Sequence, residues 1–121
     1  MKTKLAFIAA ITLLPLQAQS SDWRTSDTIR QGIVLVAFEI DRRQTQYASK
    51  RPDEFDEQGF GLGKDPSSKR VNTYFLVVSV LHTGISYYLP PDLREGWQYV
   101  TIGIEAGAIY NNYSIGIKIP F

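Results

Sequence analysis

The sequence contains no cysteine. This absence excludes disulfides, thiol nucleophiles and cysteine-lined zinc sites, and it leaves no residue for lipoprotein acylation near the N-terminus. A small chain without disulfides has to be stabilised by its own packing, by a partner or by a lipid environment.

No charge of either sign dominates, since 13 Lys and Arg stand against 12 Asp and Glu and the basic residues are spread along the chain. Without a basic stripe to neutralise phosphates, we expect no nucleic-acid binding. A single histidine, His82, makes a poor zinc set, so no metal site is predicted. The glycine-rich segment 59–64 lacks the Ser or Thr that follows Lys in a phosphate-binding loop, and no cofactor is expected.

The N-terminus has the order of a secretory signal peptide. Lys2 and Lys4 precede an apolar run over 5–16, which small and polar residues follow. A run of about 12 residues falls short of the roughly 20 that a membrane-spanning helix needs. We therefore predict a signal peptide over 1–20, cleaved after Ala18 or Ser20, and export to the periplasm or an envelope membrane.

The remaining residues, 21–121, suffice for a single domain with a modest core. Hydrophobic spacing predicts a mainly α fold with three helices, at about 27–50, 68–89 and 92–112. A long loop, rich in Pro, Gly and acidic residues, separates the first two helices. Alternation of apolar and polar residues over 113–121 indicates a strand or a short extended C-terminal arm.

The first helix carries one apolar stripe at helical spacing, Ile29, Ile33, Val36, Ile40 and Tyr47, and Val34, Leu35 and Phe38 widen this face. We expect this stripe to face the core, with Arg30 and Gln31 on the polar side and a hydrated second half. In the third helix the corresponding face consists of Leu93, Trp97, Val100, Ile104 and Ala108. Gly103 and Gly107 beside it form a small-residue pair that permits close approach of another helix.

The second helix is apolar around most of its circumference and ends at Pro90 and Pro91. Such a helix is buried in protein or in lipid. Its flanks, Lys69 and Arg70 at one end and tyrosines at the other, suit a membrane, whereas His82 and other polar residues interrupt its apolar surface. Both environments stay open from the sequence.

Seven polar residues are candidates for a buried cluster or a recognition edge: Asp41, Gln44, Thr45, Glu57, His82, Gln98 and Glu105. The first three share one edge of their helix, which is either solvated or half of a cluster completed by His82 and Glu105. In a hairpin turning at Pro90, His82 and Glu105 differ in height by roughly 10 Å, so a direct pair is not expected and Gln98 is the nearer neighbour of His82. Glu105 needs a partner within its apolar pattern.

A set of spaced residues covers nearly the whole mature chain: Trp23, Asp27, Thr28, Asp41, Gln44, Thr45, Glu57, Leu62, Gly63, Pro66, Ser67, Tyr74, His82, Leu89, Pro90, Arg94, Gln98, Glu105, Asn112 and Gly116. With this set the chain resembles an uncharacterised family of small helical proteins, exported or membrane-associated, of proteobacteria and their phages. Gly59 and Phe60 stand where the family's E-x-N-P-x-L-G-x-x-P-S pattern has Asn and Pro. The resemblance implies a helical, envelope-associated and prophage-borne protein, and it implies no reaction.

Three functional hypotheses follow. The first is a non-enzymatic envelope protein acting through helix contacts with a membrane or a membrane-protein partner. The second is a soluble periplasmic module that binds a ligand or a protein, with the acidic loop as a lid. The third is an enzyme using His82 with Asp41 or Glu105, although neither a nucleophile nor a metal set accompanies them.

Overall fold

Three helices make up most of the described chain. The computed structural model describes residues 22–55, 62 and 66–120, and within these ranges it contains helix α1 (Thr25–Ser49), helix α2 (Ser68–Tyr88), helix α3 (Pro91–Ser114) and no strand. The predicted mainly α fold is confirmed, and each helix begins and ends within two residues of its predicted limits. The predicted signal peptide and Glu57 lie outside the described residues.

Each helix terminus has a local chemical cause. Asp27 accepts a hydrogen bond from the Arg24 backbone N–H (2.9 Å) at the start of α1, and the Ser67 side chain accepts one from Arg70 N–H (3.1 Å) at the start of α2. Pro91 occupies the first position of α3, where its missing N–H costs nothing.

Helix α3 ends in a Schellman turn. Gly116 adopts a left-handed φ of 96° and donates to Tyr113 O (3.1 Å), while Ile117 N–H reaches Asn112 O (2.9 Å). The following described residues, through Pro120, form no strand, and Arg43 of α1 donates to Pro120 O (3.0 Å). The C-terminal arm is thus tied back onto the first helix.

The helices form an up-down-up bundle. Gln98 near the start of α3 bonds to Asp27 O near the start of α1 (3.1 Å), and Gln44 near the end of α1 bonds to Ile109 O (3.1 Å), so these two helices are parallel. Gln46 of α1 donates to Ser68 O (3.0 Å), so α2 runs antiparallel to both. Residues at the same height along the bundle axis therefore lie next to each other in all three helices.

The core is small in apolar content and large in polar content. One buried apolar cluster comprises Val34, Phe38, Leu62, Val71 and Phe75. Ten polar or charged residues of the described chain are also buried: Asp27, Arg30, Gln31, Gln44, Thr45, Gln46, His82, Ser86, Arg94 and Gln98. Side-chain hydrogen bonds therefore connect the helices through much of the interior.

The predicted core face of α1 is wrong in part, because Val34 and Phe38 are buried but most of the central stripe is exposed. Ile29, Ile33 and Val36 are 59%, 48% and 61% exposed, whereas Arg30 and Gln31, expected on the wet side, are buried. The second half, expected to be hydrated, buries Gln44, Thr45 and Gln46. The same inversion affects α3, where Leu93, Val100 and Ile104 are exposed while Arg94 and Gln98 are buried. Helical periodicity identifies residues that share a face, but the match of donors to acceptors across the interface decided which face packs inward.

Candidate functional site

A buried carboxylate with three arginines lies at the end of the bundle where α1 and α3 begin. Asp27 accepts hydrogen bonds from Arg24 Nη2 (3.1 Å) and Arg94 Nη1 (3.0 Å), and Arg30 Nη2 also contacts it. We call Asp27, Arg24, Arg30 and Arg94 the arginine cluster. Burial alone would raise the pKa of the Asp27 carboxyl, but hydrogen bonds from Arg24 and Arg94 outweigh it and hold that pKa below its ordinary value.

Arg94 joins all three helices at this end. Its fully buried guanidinium donates from Nε to Ser86 O (2.7 Å), one of the last carbonyls of α2, and from Nη2 to Asp22 (3.2 Å). A cation at a helix C-terminus satisfies free carbonyls and complements the helix dipole. The guanidinium also lies over the Trp23 ring (4.7 Å to its centre), which in turn stacks on Tyr87.

Two glutamines extend the network toward the middle of the bundle. Gln98 Nε2 donates to Asp27 O and to Gln31 Oε1 (both 3.1 Å), and its Oε1 accepts from Arg30 Nε (2.9 Å). Gln31 Nε2 donates to Thr83 Oγ1 (3.0 Å) and to His82 Nδ1 (3.1 Å). Every side-chain donor and acceptor of the two amides is therefore in use, which gives the pair one defined orientation.

His82 lies at the inner end of this network. Its Nε2 is 2.9 Å from Thr101 Oγ1, which itself donates to Trp97 O, so the neutral ring donates from Nε2 and accepts at Nδ1. The imidazole stacks on Trp97 (4.5 Å between ring centres) and meets the edge of Phe38 (5.7 Å). Burial lowers the pKa of His82 to about 4. Both nitrogens are occupied, so this ring holds helices together rather than presenting a free base.

A second cluster lies toward the other end of α1 and α3. The Asp41 and Glu105 carboxyls line the same cavity and shift each other's pKa, and Thr45 Oγ1 donates to Asp41 Oδ1 (3.4 Å). Burial, and then the Asp41 hydrogen bond and charge, raise the pKa of Glu105 to about 8. Burial also raises the pKa of Asp41, while the bonds from Glu105 and Thr45 oppose that rise. We call Asp41 and Glu105 the carboxyl pair.

The carboxyl pair lines a cavity of about 680 Å³. All three helices contribute to its wall, and so do three residues of the connection between α1 and α2, namely Glu54, Phe55 and Leu62. Gln44 is positioned there by its bonds to Ile109 O and from Asn112 Nδ2 (3.2 Å). A mixed polar and apolar wall of this size is typical of a small-molecule pocket.

The predicted site residues thus fall into two groups. Asp41, Gln44, Thr45 and Glu105 lie together at the cavity, so of the two cluster partners expected for that edge Glu105 is present and His82 is not. His82 and Gln98 belong instead to the network at the other end, joined through Gln31, and His82 does not pair with Glu105. Glu57 is outside the described residues.

Five buried polar residues were not predicted from the sequence to belong to the interior: Asp27, Arg30, Gln31, Ser86 and Arg94. The usable signal was spacing: Asp27, Gln31 and Phe38 recur at four and seven residues, and Arg94 and Gln98 at four, so each set shares a helix face. Polar residues at core spacing in two helices could have indicated a polar interface between them.

The outer faces of the bundle are unusually apolar. Sixteen large hydrophobic residues of the described chain are exposed: Ile29, Ile33, Leu35, Val36, Leu76, Val77, Leu81, Ile85, Tyr88, Leu93, Tyr99, Val100, Ile104, Tyr110, Tyr113 and Ile115. At helical spacing they form stripes along each helix, which we call the apolar outer faces. Gly103 and Gly107 open onto the α3 face, because a Cβ added at either would meet nothing within 4 Å.

Two kinds of site or segment are not found in the described ranges. No helix among them is both long enough and apolar enough to cross a membrane. No three His, Asp or Glu side chains there come together in a way that could hold a metal ion.

The chain was compared with known proteins in three ways. No protein-family model matches it, and neither the curated proteins nor the solved structures contain a significant match.

Proposed function

We propose that this protein is an exported, non-enzymatic envelope protein that acts by contacting a membrane, or a protein within it, through its apolar outer faces. The observation that carries this proposal is the inverted polarity of the bundle. Ile29, Ile33 and Val36 face outward while Asp27, Arg30 and Gln31 of the same helix are buried. Exposed apolar surface of this extent marks a surface that another apolar phase covers.

One feature of the outer faces and one of the interior support a membrane as that phase. Four tyrosines are more than half exposed, at positions 88, 99, 110 and 113. Tyrosine is enriched where protein meets the membrane-water interface, because its ring is apolar and its hydroxyl is polar. At the arginine cluster the buried polar groups bond to one another, so that end of the bundle can present apolar side chains outward without leaving its buried charges unpaired.

The test is fractionation of the tagged full chain, followed by flotation of the purified protein with protein-free vesicles of phosphatidylethanolamine and phosphatidylglycerol. Resistance to carbonate washing together with flotation is expected. The variant I29Q/I33Q/V36Q should float at least about tenfold less, since burying each side chain is worth roughly 1.5–3 kcal/mol. The control T73S/D92S, which changes exposed polar residues, should float like the wild type.

A further variant separates lipid from a protein partner. Leucines at Gly103 and Gly107 would block close approach of a partner helix, yet they add apolar surface for lipid. Undiminished flotation of G103L/G107L assigns the contact to lipid; membrane retention that needs these glycines assigns it to a protein. Release of the wild type by osmotic shock, without flotation, contradicts the proposal.

A specific observation also favours a second function, a periplasmic ligand-binding module. The cavity of about 680 Å³ is large enough for a small molecule, and its wall includes Glu54 and Phe55 of the loop that was expected to act as a lid. Release by osmotic shock, with thermal stabilisation of the protein by small amines or amino acids, supports this function. Loss of that stabilisation in Gln44→Ala would place the ligand in the cavity.

A further inference from the structure

The carboxyl pair lies between two helices, and no described residue of its cavity wall is a cation. Asp41 belongs to α1 and Glu105 to α3, and the described residues that line their cavity include no Lys, Arg or His. One of the Glu105 oxygens, Oε2, is buried and accepts no hydrogen bond from the described residues. Two carboxyl groups can hydrogen-bond to each other only when one carries a proton, because two carboxylates have acceptors and no donor.

Other groups that face the pair do not replace this proton. From α2 the cavity is lined by Tyr74, whose pKa is raised by burial and by the charges of Asp41 and Glu105. From the loop it is lined by Glu54, a further carboxylate, and from α1 by the uncharged Gln44 and Thr45. Among the described residues of the cavity wall, loss of the shared proton therefore leaves two carboxylates facing each other beside a third carboxylate and a phenol.

We propose that the carboxyl pair is a pH-sensitive fastening between α1 and α3, closed while it shares one proton and released when that proton is lost. Glu105 holds the proton and donates to Asp41, which Thr45 also supports. Release separates the two helices at the cavity end, while the arginine cluster keeps the opposite end joined. This device depends only on the interior of the bundle, and the proposed membrane contact can fail without affecting it.

The sign of the pH dependence follows from Glu105. Its pKa in the folded chain, about 8, lies above the ordinary 4.5. Between pH 4.5 and 8 the folded protein therefore binds more protons than the unfolded chain. Its stabilising contribution is complete below pH 4.5 and is lost as pH rises through 8. From pH 6.5 to 9 the unfolding equilibrium constant should increase at least about tenfold.

The test is urea unfolding of the full chain, in one detergent if the protein requires it, at intervals from pH 6.5 to 9. E105Q keeps a neutral hydrogen-bond donor to Asp41, so its unfolding constant should change less than about threefold over this range. The control E39Q alters an exposed carboxyl on α1 whose pKa is about 2, and it should retain the wild-type slope. An E105Q slope equal to that of the wild type would overturn the proposal.

A second measurement needs no variant. In a carbon-13 NMR titration of glutamate side chains in the wild-type protein, one carboxyl should titrate near pH 8. Titration of every glutamate below pH 6 would also overturn the proposal, whether or not E105Q folds.

Discussion

Single polar residues carry much of the interior. Asp27 is fully buried. It accepts hydrogen bonds from the side chains of three arginines and from the backbone N–H of Arg24 at the start of its helix. A buried charge is tolerated when it is paired and bonded in this way, and removing one member leaves the others uncompensated. The arginine cluster is thus a point where one substitution affects all three helices.

We expect Asp27→Ala to destabilise the protein by about 3–5 kcal/mol, because Arg30 and Arg94 would remain buried without their carboxylate. Urea unfolding at pH 6 measures this loss. Asp53→Ala, which removes an exposed acidic residue of the loop, should change stability by less than about 0.5 kcal/mol. Equal effects of the two substitutions would show that the cluster contributes little.

His82 provides a second test at this scale. Its pKa of about 4 in the folded protein lies below the ordinary 6.5, so between pH 4 and 6.5 the unfolded chain binds more protons than the folded protein. The stability that His82 contributes is therefore lost as pH falls from 6.5 through 4. In His82→Gln this loss disappears, while an amide can still reach Gln31 or Thr101. Urea unfolding of both proteins from pH 6.5 to 4 should show a different slope for the variant, and identical slopes would contradict burial of a neutral ring.

At the level of the helix, one hydrophobic periodicity is compatible with either of two opposite helix faces packing into the core. Helix α1 has Val34 in the core and Val36 on the surface, although both belong to its hydrophobic pattern. Their neighbours differ: Val34 packs in the cluster with Phe38, Leu62, Val71 and Phe75, whereas Val36 lies on an apolar outer face.

These two valines form a matched pair for mutation. Val34→Ala should cost about 2 kcal/mol, because it leaves a cavity in a fully buried cluster. Val36→Ala should change stability by less than about 0.5 kcal/mol, because its side chain is 61% exposed. Thermal unfolding followed by circular dichroism compares the two, and a larger loss for Val36 would contradict the observed orientation of α1.

For the whole molecule, His82 and Glu105 give opposite pH dependences that overlap. Between pH 4.5 and 6.5 the rising contribution of the histidine offsets the falling contribution of the glutamic acid. We therefore expect a plateau of maximal stability in this range, a decline above pH 6.5 and a decline below 4.5. The melting temperature measured from pH 3.5 to 9 checks this profile, and a maximum above pH 8 would contradict it.

In the bundle as a whole, the usual distribution of polar residues outside and apolar residues inside is partly inverted. Its apolar cluster is small, its helices are joined by amide, hydroxyl and guanidinium bonds, and sixteen large hydrophobic residues of the described chain are exposed. Such a chain depends on directional bonds for a defined structure and on an external apolar phase for covering its surface. This distribution underlies both the proposed contact through the apolar outer faces and the proposed protonated carboxyl pair inside.

The number, type and approximate limits of the helices were determined by the sequence itself. Pro90 and Pro91 end one helix and start the next, Ser67 caps α2, and helical spacing reveals the three segments, because these signals act within a few residues. The edge formed by Asp41, Gln44 and Thr45, and the requirement of Glu105 for a partner, were likewise visible from side-chain chemistry.

Only the tertiary structure decided which face of each helix points inward. A face of isoleucines and a face of arginine and glutamine have equal periods, and the choice depends on partners more than 60 residues away in sequence, such as Arg94 for Asp27 and Gln98 for Gln31. The meeting of Asp41 with Glu105 likewise required the parallel alignment of α1 and α3, whereas the separation of His82 from Glu105 was expected from helix geometry. Hydrogen-bond complementarity across that interface is a property of two helices together, which neither helix expresses alone.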